Sequence, residues 1–439
     1  MDGESRRGKE NSNPERRRAP FVRYTRRHTR RLRVALVPGR KVTGRSDIDS
    51  CRWVLRYHHD AGPLSFSPVH SSSRRGLDLA MSSSAAFARW RRAEETFDRF
   101  RAFARADAPP PARSLHRWAP SSRARRFAVG SDASGAPAPR MTLRSAFQYC
   151  QSRVRQHDYE NYLCTLALPA AHRPAALALR AFNVETASAL GAVKEPHLAL
   201  VRLRWWRDAV AAVHRADDDV PDHPVAVALA AVLRGGRGGA RTRRWMNAIV
   251  DARVRDAESN SPPLGVPYLE AYADATASSL LYLILDLCEV RHADADHAAA
   301  HLGKAIGIAN LLRGTKAHAA QRRSYIPLDV AAKHGAATED VYRAKPTEGV
   351  RNAVHEVASV AKAHLDSARA MAPRLRADRL PPRASATALA ALLPAVGAGA
   401  YLDALEARDF DPFHPELVRG NPPLVTQARI AWAACRGRY

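Results

Sequence analysis

The chain has 439 residues and a mass of 48.2 kDa, enough for one large domain or two ordinary ones. Hydrophobic residues make up 46%, which excludes a wholly disordered chain. A mean hydropathy of -0.36, with no uninterrupted apolar run of about 18 residues, excludes an obvious membrane-spanning helix.

The net charge of +26 is unevenly spread. Residues 1–140 hold 31 Lys and Arg against 13 Asp and Glu, a net of +18, and leave only +8 for the rest. The basicity therefore describes the first third of the chain. A nucleic-acid reading drawn from it needs an aromatic stacking platform or a recognisable module, and none is recognised, so no nucleic-acid partner is expected. Five cysteines, at 51, 150, 164, 288 and 435, form no CxxC pair. They argue against a disulfide scaffold or a zinc ribbon.

Residues 1–80 read as a disordered basic extension. It is either a genuine tail or an artefact upstream of a true start at Met81. From Met81, Phe87, Trp90, Phe97, Phe100 and Phe103 recur at roughly helical spacing among arginines. That is the pattern of an amphipathic mitochondrial import signal, although Glu94, Glu95 and Asp98 run against it. Residues 81–140 are thus expected to be a targeting segment and linker.

A folded body is expected over 141–439. Leu143, Phe147, Cys150 and Val154 mark one helix face. Pro174 sits where a second helix starts. Leu198, Val201, Trp205, Ala209 and Ala212 mark one face of a third helix, and Leu203, Trp206, Val210 and Val213 the other, so burial on most sides is expected. A short helix fits 224–234, between turn signals at Asp217-Asp218-Asp219 and Gly235-Gly236-Arg237-Gly238-Gly239. Further helices fit 242–258, 267–290, 295–313, 348–371, 384–408 and 422–435. No alternating strand pattern of useful length appears, so the body reads as all-α. Gly303 and Gly307, one turn apart, read as a close contact between helices.

Several stretches of this body resemble the squalene/phytoene synthase family. Leu203-Arg204-Trp205-Trp206-Arg207-Asp208 is similar to its RLQWWRD-type helix, followed by His223-Pro224-Val225. Val250-Asp251-Ala252-Arg253 resembles its IDAR element. Asn310-Leu311-Leu312-Arg313 and then Arg323-Ser324-Tyr325-Ile326-Pro327-Leu328-Asp329 resemble its NILRD…RxYLPLD segment. Leu392-Leu393-Pro394 and Ala400-Tyr401-Leu402 resemble its last helix. The order is the family's, over nearly all of 145–435. Arg155 to Cys164 (RQHDYENYLC), Ala181 to Glu185 (AFNVE), Ser278 to Leu283 (SSLLYL) and the DFD and FHP triplets near Asp409 and Phe413 resemble a narrower subgroup, mitochondrial assembly factors for respiratory complex I. The resemblance implies a single-domain isoprenoid-synthase-type helical fold. It also implies the matrix face of the mitochondrial inner membrane, and complex I subunits or assembly intermediates as partners, at an early membrane-arm or quinone-module stage.

A head-to-head synthase ionises an allylic diphosphate with magnesium, which takes hard oxygen ligands. The family supplies them from two DxxxD-type motifs, whose i, i+4 spacing puts each pair on one helix face. Under the resemblance those four acids fall on Ala187 and Gly191 in the first motif, and on Gly314 and His318 in the second. Glu185 lies half a turn from the required face, and Lys316 adds a positive charge near the second motif. The expectation is a pseudoenzyme: no catalytic residue, no metal and no cofactor, with the vacated cavity open to a lipid or isoprenoid ligand. The alternative is an active prenyl synthase with a displaced metal site. The +8 body favours peripheral attachment to anionic lipid.

Three further groups have a bland reading that is preferred. His297 and His301, after Asp294 and Asp296, are compatible with zinc but read as solvated histidines near a helix start. Asp251, Arg253, Arg255 and Asp256 can line a cavity but read as a surface salt-bridge face. Trp205 and Trp206 can touch a lipid-like ligand but read as core.

Overall fold

The computed structural model describes residues 141–439 apart from 192–195, 216–218, 235–238, 260 and 377–379. The expectations for residues 1–80 and 81–140, and most of the two turn signals around residues 217 and 237, lie outside the described residues. All regular structure among the described residues is helical.

The chain begins with α1 (Leu143–His157), started by Thr142, whose hydroxyl accepts a hydrogen bond from the Ser145 N–H. Next come α2 (Tyr159–Leu166), α3 (Arg173–Gly191), α4 (Pro196–Val213) and α5 (Pro224–Leu233). Proline opens α5, where its missing N–H costs nothing. After α6 (Ala240–Glu258), α7 (Val266–Ala273) runs through a π-helical turn at Asp274–Ser278 into α8 (Ser279–Leu287). The long α9 (Ala293–Arg313) follows, then short α10 (Thr315–Ala320), α11 (Leu328–Lys333) and α12 (Thr338–Tyr342). The remaining elements are α13 (Glu348–Ala370), α14 (Ala372–Arg376), α15 (Pro382–Ala391), α16 (Ala395–Glu406), α17 (Pro415–Arg419) and α18 (Pro423–Arg436).

The centre of the body is α9. Its alanines, among them Ala295, Ala298, Ala299 and Ala305, are fully buried and let α13 approach through Ala353, Val357 and Ala361. On another face α9 meets α7 and the π-helical turn. A methyl group on Gly303 would run into the Ser278 backbone, and one on Gly307 into Ala273. The expected close contact at these two glycines is therefore real, and it fixes the π-helical turn against α9. The four described cysteines carry free thiols; Cys150, Cys164 and Cys288 are buried.

Three expectations about packing need correction. Leu143 is exposed, and α1 buries Ala146, Cys150 and Val154 instead. Only one side of α4 is core along its first half: Leu203 and Trp206 are buried, whereas Leu198, Val201 and Trp205 are exposed. Apolar residues on both faces do not reveal which neighbours are present: α4 meets α3, α5 and α6, and only in its second half are both faces buried, through Ala209, Val210, Ala212 and Val213. Finally, Pro382–Glu406 does reach the length and hydropathy of a membrane span. It is broken at Leu392–Pro394 into α15 and α16, and 61% of its apolar window is buried within the protein. Leu392, Leu393, Ala395, Leu402 and Leu405 place it in the helical core.

Candidate functional site

The ends of α3 and α6, the π-helical turn with α8, the second half of α9, and the α10 segment with the chain after it enclose a cavity of about 390 Å³. Its lining is mixed. Leu190, Leu203, Leu280, Leu281, Ile306 and Leu311 are its large apolar members. Arg180, Asn183, Thr186, Arg253, Asp256, Tyr272, Arg323 and Tyr325 are its main polar members.

The polar members come from positions far apart in sequence. The Tyr325 hydroxyl lies 2.9 and 2.8 Å from the two carboxylate oxygens of Asp256. Arg323 donates to the same carboxylate at 3.0 Å and to the Asp256 carbonyl at 2.8 Å. Burial raises Asp256 above the ordinary carboxylate value, against the pull of Arg323 and Tyr325. Burial, then the Asp256 charge, raises Tyr325 strongly, so the phenol stays protonated and donates. Arg253 is buried and donates to the Asn183 Oδ1 at 2.7 Å and to the Thr186 hydroxyl. Arg180, also buried, faces Asp158 at 3.8 Å.

Of the four positions that the resemblance assigns to metal-binding acids, Ala187, Gly191 and His318 line the cavity. Gly191 on α3 faces the segment after α10: a methyl group there would lie 3.9 Å from Gln321 Nε2. Gly314 does not line the cavity, because the His318 ring covers it. Burial, with the Arg323 charge adding to it, lowers His318 to about 4, so the imidazole is neutral. Lys316 is exposed and absent from the lining, so its expected charge at the site is not there. Asp256 is the one carboxylate among the described lining residues, and both its oxygens are engaged. Among the described residues no group of three His, Cys, Asp or Glu side chains could hold a metal ion. This donor set does not fit magnesium, which wants several free carboxylate oxygens.

The family-motif positions divide. Arg253, Asn310 and Tyr325 line the cavity. Arg207 pairs with Asp251 at 3.1 Å between α4 and α6, away from it. Arg313 donates to Glu160 at 3.0 Å and lies 5.0 Å over the Tyr401 ring, tying α9 to α2 and α16. Pro327 precedes α11, and Asp329 Oδ1 accepts from the Val330 N–H at 2.7 Å, so the PLD element starts a helix. Trp206 is core, 5.5 Å from the Phe182 ring, while Trp205 is a surface residue against His223.

All three bland readings fail in part, the tryptophan pair through the exposed Trp205. The group at 251–256 is split: Arg253 and Asp256 are cavity residues, whereas Arg255 is exposed. His301 is not simply solvated, since its Nδ1 lies 2.9 Å from His364 Nδ1, and His364 Nε2 lies 2.7 Å from Glu270. Sequence reasoning missed Arg180, Tyr272 and Arg323 as site residues. The signal was available for Arg180, a charge directly before an apolar helical run.

A family model for squalene/phytoene synthase matches residues 154–429. The chain belongs to the squalene/phytoene synthase family. It is 38% identical over 332 residues to a Bos taurus protein named NADH dehydrogenase (ubiquinone) complex I, assembly factor 6, covering 75% of this chain and 93% of that one. The Homo sapiens protein of that name is 37% identical over 274 residues, covering 62% and 78%. The Drosophila melanogaster homolog is 38% identical over 303 residues, covering 66% and 84%. Among solved structures, a dehydrosqualene synthase with bound ligand superposes with a TM-score of 0.55 at 18% identity, covering 66% of this chain and 96% of that one. Squalene synthase HpnC from Alicyclobacillus acidocaldarius superposes at 0.51 and 19%, covering 62% and 96%. At that identity the likeness is one of fold, and the expected all-α isoprenoid-synthase architecture is borne out.

Proposed function

We propose that this chain is a non-catalytic assembly factor for mitochondrial respiratory complex I, acting on complex I subunits or an early membrane-arm intermediate. The observation that carries the reading is the cavity: the family's helices are in place, yet Ala187, Gly191 and a neutral His318 are in its lining at positions where the resemblance assigns metal-binding carboxylates. The names of the relatives, all complex I assembly factors, support the role. Retained architecture without metal ligands suits a protein kept for binding. An active synthase would need a set of acids that the lining lacks.

The finer parts of the reading rest on sequence. The domain of 141–439 is delivered by a targeting segment within 81–140 and sits peripherally on the matrix face of the inner membrane. Net charge of +8 over residues 141–439 supports attachment to anionic lipid, and liposome binding should weaken as salt rises; binding indifferent to salt would point to apolar insertion. Incubation with magnesium and farnesyl or geranylgeranyl diphosphate tests the non-catalytic half. Condensation product would overturn it. The level of complex I in cells lacking this chain tests the assembly half.

A further inference from the structure

The polar lining of the cavity carries an unbalanced charge. Arg180 is offset by Asp158, and Arg323 by Asp256. Arg253 has no ion-pair partner among the described residues: it bonds the neutral Asn183 and Thr186 and the phenol of Tyr272, and Asp256, whose charge it feels less, is held by Arg323 and Tyr325. Three arginines against two aspartates leave one positive charge here. A buried cation without a counter-charge is costly, and native proteins rarely keep one unpaired.

A second observation points the same way. Arg180 Nε, Arg253 Nε, Arg323 Nε and His318 Nδ1 are buried without any hydrogen-bond partner, and all four residues line this one cavity. Folded proteins leave few such atoms. Guanidinium groups only donate, so what the three arginine Nε atoms lack is an acceptor; the neutral His318 Nδ1 donates or accepts according to its tautomer. The leucines and Ile306 of the lining accept hydrocarbon. A volume of about 390 Å³ is near the lower end of single-ligand pockets, roughly 300–1,000 Å³.

We infer that the cavity binds one single-tailed amphiphile with a monoanionic head, a carboxylate or a phosphodiester, held directly by Arg253 without a metal ion, with its tail against Leu203, Leu280, Leu281 and Ile306. A single surplus positive charge matches a monoanion. It does not match a diphosphate, whose extra charge needs the cations this donor set does not hold. The inference rests on the reading of the cavity as lacking magnesium chemistry, and it adds the ligand class.

The test uses the full chain in EDTA, with myristate, lysophosphatidylglycerol and farnesyl diphosphate as probes, read by calorimetry and thermal shift. One or both monoanionic probes should bind at least tenfold more tightly than farnesyl diphosphate, and which of the two does so identifies the head. Asn183→Asp supplies Arg253 with an internal counter-charge at nearly constant shape. This variant should melt at or above the wild-type temperature and lose at least tenfold in affinity for the monoanionic probe. Arg253→Gln, judged on soluble folded protein, should lose binding likewise. Absence of binding by both monoanionic probes, or wild-type affinity in Asn183→Asp, overturns the inference. Turnover of farnesyl diphosphate with magnesium would instead overturn the non-catalytic reading, so the two failures are told apart.

Discussion

The imidazole of His318 lies directly over the α-carbon of Gly314, one helical turn earlier, and occupies the space a side chain at 314 would enter. The two positions assigned to the second acidic motif are therefore coupled: the histidine fits because its neighbour has no side chain.

It follows that restoring one acid is worse than restoring two. Gly314→Asp alone should destabilise the fold by about 1–3 kcal/mol through overpacking, read as a lower urea midpoint. Gly314→Asp with His318→Asp should recover part of that loss. Adding Ala187→Asp and Gly191→Asp should create a magnesium-dependent thermal shift with a diphosphate analogue that the wild type does not show.

The neutral state of His318 makes stability depend on acid. Its folded value is about 4 against an ordinary 6.5, so the unfolded chain binds this proton more readily. The contribution is complete above pH 6.5 and is lost as pH falls toward 4. It amounts to about 3 kcal/mol. Burial also lowers His157, His214, His223 and His301, so the wild-type curve contains them all. The check is the difference between wild type and His318→Asn in unfolding free energy at several pH values, which should narrow as pH falls toward 4.

Asp256 holds Arg323 and Tyr325 together in the cavity lining. Asp256→Asn should cost about 3 kcal/mol, since it leaves a half-buried guanidinium without its counter-charge. Tyr325→Phe, which removes one donor, should cost about 1–2 kcal/mol. Chemical unfolding of both variants, and a double variant showing less than the sum, would establish the coupling.

The contact of α9 with the π-helical turn offers a separate check. Gly303→Ala would push a methyl group into the Ser278 backbone, whereas Gly239→Ala meets nothing within 4 Å. The first should lower stability by about 1–3 kcal/mol and the second by well under 1, measured by thermal unfolding.

Much of the fold was legible because its long helices carry their own signals. The helix expected at 295–313 is α9 at 293–313, and that at 348–371 is α13 at 348–370. Short α10, α11, α12, α14 and α17 were not, since five or six residues do not establish a period. The outer face of α4 was misjudged because Leu198, Val201 and Trp205 are apolar with no helix over them. The site was half legible. The resemblance pointed to Ala187, Gly191, Gly314 and His318, of which all but Gly314 line the cavity, but the charge pattern of its polar residues arises from contacts such as Arg253 with Asn183 and Arg323 with Asp256, 70 and 67 residues apart. No local spacing reports such a pairing.

The most direct test is made in cells lacking this chain: assembled complex I on a native gel, with the other respiratory complexes as internal controls and re-expression of the wild-type chain as the rescue. The account predicts a selective loss of complex I that re-expression restores. Normal complex I in those cells, or an equal loss of every complex, would contradict it.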